Sequence, residues 1–338
     1  MKKKSTMRTG LIVPAAVILV TVILALALSV LSGGTGSSEK VFRVAKGSSA
    51  GEVASVLQRE QLIQNRLLFQ LYLRITGTDR KLKAGTYKIV QGASIPAIVA
   101  TLTEGKTMQI QVTIPEGSTS RVIAGILEKA GACSKDGFLA AVRDPALVAH
   151  AGIPGSSFEG FLFPDTYLFS ENSNPELIAL VMAQTFFAKL EKILPGKKID
   201  PAKLYDDVVL ASIVEREYGV ESEAGLIASV FKNRLKINMA LQSCATIVYI
   251  ITEKQLKPHP QVVHYTDLEI PDPYNSYIHR GLPPGPISNP GETALRAVFN
   301  SPKSDYLYFR VMENSERTHK FSKTFEEHTG EVIPVKGF

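Results

Sequence analysis

The sequence predicts an α+β fold class: a single N-terminal transmembrane helix, then a small β-α-α-β module, then a larger mixed α+β domain. Three observations carry that expectation. Leu11 to Leu31, "LIVPAAVILVTVILALALSVL", runs 21 residues without a charge, enough at 1.5 Å per residue to cross a bilayer core of about 30 Å. Behind it, short stretches of period-two alternation and of period-3.6 stripes follow one another, punctuated by helix caps. The composition, 45% hydrophobic and 21% charged, is that of a chain that buries a core, which excludes wholesale disorder.

Residues 1–10 form a basic tail ahead of the 11–31 span, and "SGGTGSSEK" follows it. The positive-inside rule then places the N-terminus in the cytoplasm and the bulk of the chain outside the plasma membrane. A cleaved signal peptide is the competing reading; its apolar region would be unusually long and "LSVLSGG" is a poor cleavage site. Lys2, Lys3, Lys4 and Arg8 supply four of the net +6 charge. The remainder of the chain therefore has no strong basic bias, and nucleic acid is not an expected partner.

Residues 32–39 read as a Gly/Ser linker, and residues 40–105 as the small module. There "KVFRV" alternates like a strand, Ser48 or Ser49 can cap a helix through about Glu60, and Asn65 can cap a second ending near Gly77. "LKAGTYKIV" returns as a strand, and "SIPAIVATLTEG" follows as a helix with a serine start and a glycine stop.

Residues 106–338 read as the larger domain. "MQIQVTIPEG" opens it with alternation over Met108 to Ile114, "SRVIAGILEKAG" and "DGFLAAVRD" are helical in pattern, and "FEGFLFPDTYLF" is extended and aromatic with a turn at Pro164. Asp200-Pro201 supplies an N-cap and a first-turn proline to a helix carrying "LASIVEREY". A further helix follows Gly219, with Ser222 as its expected cap and Leu226, Ile227, Val230, Phe231 and Leu235 on one face. The Pro/Gly-rich "GLPPGPISNPG" at 281–291 is a rigid loop, and "YLYFRV" is a late strand.

Chemistry has few places to reside. Cys133 and Cys244 are the only cysteines, too few for a disulfide scaffold or a zinc cluster, and their pairing is left open. The six histidines are scattered, so no metal site and no cofactor is expected. On a helix, Glu215 shares a face with Val208, Ala211 and Ser212. A carboxyl projecting from such an apolar stripe is desolvated, which raises its pKa toward that of a general acid working near neutrality. Glu217 points about 200° away around the axis, so the two cannot flank one bond as paired carboxylates. A charged C-terminal turn, with Arg216 favoured by the helix dipole, is the alternative reading of the same residues.

The surrounding segments resemble a known family. "LASIVERE", "VFKNRLKINMALQS", "PYNSY", "GLPPGPISNPG", "DYLYF" and "HKFSKTFEEH" occur in the order found in the endolytic murein transglycosylase (YceG-like) family, over roughly residues 108–335. "VAKGSSAGEVASVLQREQLI" followed by "AGTYKI" in the small module resembles a LysM-like, glycan-binding domain; a plain α+β spacer is the alternative.

The resemblance implies a peptidoglycan lytic transglycosylase, a lyase that cleaves the MurNAc-β-1,4-GlcNAc bond within glycan strands and leaves 1,6-anhydroMurNAc ends. It makes Glu215 the catalytic residue and Glu217 a supporting one. Asn233, Arg234, Gln242, Ser243, Tyr274, Asn275 and Asn289 are candidates to bind sugar, turn geometry being the other explanation for the Asn and Tyr residues beside proline. Glu159, Asp165 and Tyr167 in "FEGFLFPDTY" match a family segment and are expected to be structural. Cell-wall synthases are the partners the resemblance implies, with the membrane held through the N-terminal helix. Two departures stand out: Cys244-Ala245 where the family often has Asp-Pro, and Tyr218 where it often has Thr or Ala. The competing functions are a membrane-anchored, non-catalytic peptidoglycan-binding scaffold, and a hydrolytic muramidase with Asp165 or Glu159 as a second carboxylate.

Overall fold

The computed structural model describes residues 38–312 and 318–330. The expected membrane helix at 11–31 and its basic tail lie outside the described residues; among those described, no helix is long and apolar enough to cross a membrane. The chain divides into two compact units, Met1–Ile110 and Gln111–Phe338, both of mixed α+β character.

In the first unit β1 (Glu39–Val44) pairs antiparallel with β2 (Gly85–Val90), in register from Glu39 opposite Val90 to Val44 opposite Gly85. Between them lie α1 (Ala50–Arg59) and α2 (Arg66–Thr76), and α3 (Ile95–Glu104) follows. The caps are local chemistry. Ser49 and Glu52 form a reciprocal capping box on α1, Asn65 accepts from Leu67 N at α2, and Ser94 caps α3 ahead of Pro96. The apolar faces meet in one core: Leu57, Phe69, Leu73, Tyr87, Ile98 and Leu102 are fully buried, each stabilising the unit by about 1.5–3 kcal/mol. Tyr87 also donates its hydroxyl to Lys83 O at 2.7 Å, so its polar end is satisfied.

The chain passes into the second unit within β3 (Gln109–Thr113), which pairs with β4 (Thr166–Ser170) across the short helices α4 (Ser120–Lys129), α5 (Lys135–Ala141) and α6 (Pro145–His150). The aromatic segment expected to be extended, with a turn at Pro164, is strand only from Thr166. Phe158, Phe161 and Phe163 lie instead in turns and point into the core, because their rings gain more from burial than the backbone gains from a ladder.

Next come α7 (Pro175–Ile193), α8 (Pro201–Val214), α9 (Ala224–Lys236) and α10 (Cys244–Tyr249), the last running into a π turn over Ile250–Lys254. The chain then gives α11 (Glu292–Phe299), the antiparallel pair β5 (Tyr308–Val311) and β6 (His319–Ser322), and α12 (Phe325–Thr329).

Helix α8 is the axis of this unit. Asp200 accepts from Ala202 N and Lys203 N at its start, and every residue from Asp207 to Val214 is buried, as expected of a helix apolar on all sides. It packs against α9 and α11. Ser222 is not the cap of α9. It sits inside a 3-10 turn over Glu221–Glu223, and α9 begins at Ala224 without a side-chain cap; the preceding turn already pairs the first N–H, Ala224 N to Glu221 O.

Candidate functional site

The centre of interest is where α8 ends. Glu215 is the C-cap residue and is half-buried, and the chain turns through Arg216, Glu217 and Tyr218. The 281–291 loop docks on the last turn of the helix. Ile287 N donates to Ser212 Oγ at 3.0 Å, and Ser288 Oγ donates to Ser212 O at 3.0 Å.

Asn289, fully buried, is the clasp of that loop. Its Nδ2 donates to Ser118 O and to Glu159 Oε1, both at 2.9 Å, while its Oδ1 accepts from Leu162 N at 2.9 Å. Its own backbone pairs with Gly117 N and Ser118 O. Glu159 completes the clasp by accepting from Ser120 N, at the start of α4, through both oxygens at 3.0 and 3.1 Å. Desolvation pushes Glu159 up to about 7 despite those bonds.

This clasp fixes what Glu215 meets. Gly291 N donates to Glu215 Oε2 at 2.9 Å, and the Tyr218 hydroxyl donates to Oε1 at 3.3 Å. Arg216 Nη1 donates to Gly117 O at 3.1 Å. Gly117 has φ +71°, and a Cβ there would sit 3.3 Å from Arg216 Cδ and 3.5 Å from Glu215 Cγ, so both conformation and space favour glycine. Burial pushes the Glu215 carboxyl up to about 7, with the nearby Glu116 charge adding to the rise; the Gly291, Tyr218 and Arg216 contacts oppose it. A carboxyl so placed holds a proton near neutrality and can release it, the property a general acid needs.

Glu217, expected on the same helix as Glu215, lies instead in the turn after Val214, because Arg216 N and Glu217 N pair with Ile213 O and Val214 O in the tighter i→i−3 pattern, and its side chain has other partners. It accepts from Ser243 Oγ, and Ser243, itself buried, donates its N–H to Ser276 Oγ at 3.0 Å. Desolvation raises the Glu217 pKa, while Ser243, His319 and Arg234 oppose the rise.

The other sequence candidates divide by what they touch. Arg234, buried, donates to Leu307 O and Leu241 O at 2.6 Å each and lies over the Tyr308 ring. Asn233 Nδ2 donates to Ser304 O and Tyr306 O at 2.8 and 2.9 Å. Asn275, buried, spans Leu268 O and Ile270 O. These three side chains meet backbone carbonyls that no regular ladder satisfies. Tyr274 stacks near Tyr249, with ring centroids 5.0 Å apart, and packs on the cluster of Ile247, Ile250 and Ile251. Gln242 is exposed, at φ +52°.

Asp165 accepts from Thr166 N and lies 3.9 Å from Lys189, and Tyr167 donates its hydroxyl to Phe163 O at 2.6 Å. Both cysteines are free thiols, Cys133 buried and Cys244 exposed with its sulfur 2.9 Å from the Tyr277 hydroxyl. Sequence reasoning missed Glu116, Gly117 and Gly291 as neighbours of Glu215. They carry no local signal: the Gly117–Arg216 contact spans 99 residues and the Gly291–Glu215 contact 76.

Comparison with known proteins adds an independent line. The profile of the YceG-like family matches residues 42–333. A Bacillus subtilis protein named endolytic murein transglycosylase is 32% identical over 304 residues, covering 84% of this chain and 81% of that protein. A Streptococcus pneumoniae protein of the same name is 30% identical over 318 residues, covering 86% of this chain; the chain spans 57% of that longer relative. The crystal structure of a YceG-like protein from Listeria monocytogenes superposes with a TM-score of 0.57 at 31% identity, covering 87% of this chain and 99% of that one.

Proposed function

The chain belongs to the YceG-like family, and on that premise we propose that it is an endolytic peptidoglycan lytic transglycosylase with Glu215 as its single acid and base. The observation that carries the proposal is the half-buried Glu215 carboxyl, pushed up to about 7 and aimed by Gly291 N–H at the end of the central helix.

Glu215 protonates the glycosidic oxygen between N-acetylmuramic acid and N-acetylglucosamine as that bond breaks. The resulting carboxylate then takes the proton of the C6 hydroxyl on the same muramyl residue, whose oxygen closes onto C1. The product is a 1,6-anhydro end, and no water is consumed. A tethered nucleophile brings an effective-molarity advantage and removes the need for a second carboxylate to activate water. Glu217 supports the site by holding the Ser243 loop, and Asn289, Asn275, Asn233 and Arg234 act as its frame through the carbonyls they bind. Gln242 and Tyr274 remain the candidates for direct sugar contact, since each keeps side-chain surface open to solvent.

The first unit serves as a LysM-like glycan-holding module. In support, the β1–α1 and α2–β2 loops enclose a cavity of about 470 Å³ lined by Gly47, Ser48, Asp79 and Arg80. The 11–31 segment anchors the enzyme in the plasma membrane with its working part outside, where nascent strands and the synthases that extend them are found; the charge asymmetry around that segment supports this.

The test is digestion of purified sacculi and nascent glycan by wild type and Glu215→Gln, with products identified by mass spectrometry. Anhydro ends made by wild type and lost in the variant are the expected result. Reducing ends would mean hydrolysis, and binding without cleavage would leave a scaffold.

A further inference from the structure

Glu116 lies in the "IPEG" stretch after β3 and is exposed. Its carboxylate lies against Gly291: a Cβ on Gly291 would collide with Glu116 Oε1. The N–H of the same glycine is the group that bonds Glu215 Oε2 at 2.9 Å. Gly291 has an ordinary φ of −81°, so its backbone conformation does not call for glycine; the space taken by Glu116 does. The next residue along, Gly117, is tied to Arg216, and a Cβ on it would sit 3.5 Å from Glu215 Cγ. The Glu116–Gly117 corner thus approaches Glu215 closely, with Gly291 in contact with both carboxylates.

We infer that Glu116 is a positioning residue for the reaction: its negative charge, held against Gly291, keeps the Glu215 carboxyl in the acid form needed when the glycosidic oxygen leaves. The inference rests on the reading of Glu215 as the acid. A hydrated charge on the exposed Glu116 is cheap to keep, whereas a second charge on the desolvated Glu215 is opposed by it. Once Glu215 has given up its proton, the same repulsion makes it a stronger base toward the C6 hydroxyl.

The other charged and titratable groups around Glu215 are few. Arg216 and Tyr218 belong to its own turn, and Glu221 lies near the Tyr218 phenol. Glu292, next to Gly291 on α11, is held by Arg296 and Lys189. Arg216 attracts where Glu116 repels, and the direction of the Glu215 shift agrees with burial and Glu116 together outweighing it.

The experiment is the pH dependence of kcat/KM on glycan strands for the full chain, comparing wild type, Glu116→Gln, Glu116→Asp and Glu215→Gln. Removing the like charge lowers the Glu215 pKa. The alkaline limb of Glu116→Gln should therefore move to lower pH by roughly 0.5–1 unit, a loss of roughly 3–10-fold above neutrality. Below the limb its rate stays close to wild type. Glu116→Asp restores the limb in part, and the products keep their anhydro ends. A pH-independent loss, or a limb that does not move, overturns the inference. If Glu215→Gln retains activity, the reading of Glu215 fails instead, and the two failures are told apart. Carbon-13 titration of the Glu215 carboxyl in wild type and Glu116→Gln reads the same coupling without turnover, and an unchanged midpoint also overturns it.

Discussion

The two sides of the end of α8 carry one glutamate each, two residues apart, and treat them differently. On the Glu215 side the carboxyl meets a backbone N–H, a phenol and a second carboxylate, and the residue stays half-open to solvent. On the Glu217 side the carboxyl is spent on a buried serine, with Arg234 and His319 near enough to favour its charge. The lesson is that burial alone does not mark an acid. Both are desolvated, but Glu215 meets a backbone N–H and a phenol beside a second carboxylate, whereas Glu217 is paired with a buried serine.

That contrast is sharpest in activity. Glu215→Gln should lower kcat by roughly 10²–10⁴-fold, the usual worth of a general acid, with circular dichroism unchanged. Glu217→Gln keeps an acceptor for Ser243 and should cost less than about tenfold. Equal losses from the two substitutions would erase the distinction.

Stability should separate them next, with opposite signs. The Glu215 pKa rises on folding from 4.5 to about 7, so the folded chain holds more protons than the unfolded one between those values. The contribution of this group to stability is thus greatest below pH 4.5 and declines as the pH rises through about 7. Glu215→Gln removes that penalty and should raise stability at pH 8 by on the order of 1–3 kcal/mol, discounted for partial exposure. Glu217→Ala instead leaves Ser243 Oγ unpaired beside a cavity and should cost about 1–3 kcal/mol. Urea unfolding at pH 6 and pH 8 measures both, and stabilisation by Glu217→Ala would count against its supporting role.

The smallest effect concerns Tyr218. Its 3.3 Å bond to Glu215 favours the ionised form, so Tyr218→Phe should shift the alkaline limb to higher pH by roughly a few tenths of a unit. The rate should change by less than about threefold. A limb moving the other way would show that the phenol binds the protonated carboxyl.

Much of this architecture was legible because its causes are local. Ser49, Asn65, Ser94 and Asp200 cap helices where a side-chain oxygen precedes an apolar stripe, but the helix expected to carry both glutamates ends at Val214, so a turn and not helical spacing sets Glu217 apart from Glu215. Ser222 misled for the same reason: it has the right chemistry, but it lies inside a 3-10 turn whose Glu221 O already takes the first helical N–H, that of Ala224. The asparagines were harder to assign. A sugar ligand and a backbone clasp need the same amide, one donor and one acceptor side by side, and nothing near Asn289 in the chain announces that Leu162 N and Ser118 O will be its partners.

The sequence by itself settled the α+β class and the capped helix that delivers Glu215, because each follows from spacing along one segment; the separate settings of Glu215 and Glu217 come from the turn that follows Val214. The tertiary structure alone decided what stands around Glu215. Glu116, Gly117 and Gly291 reach it only after the loops on either side of α8 are clasped by Asn289 and Glu159. Electrostatic coupling depends on distance through space, and chain order carries no record of that distance.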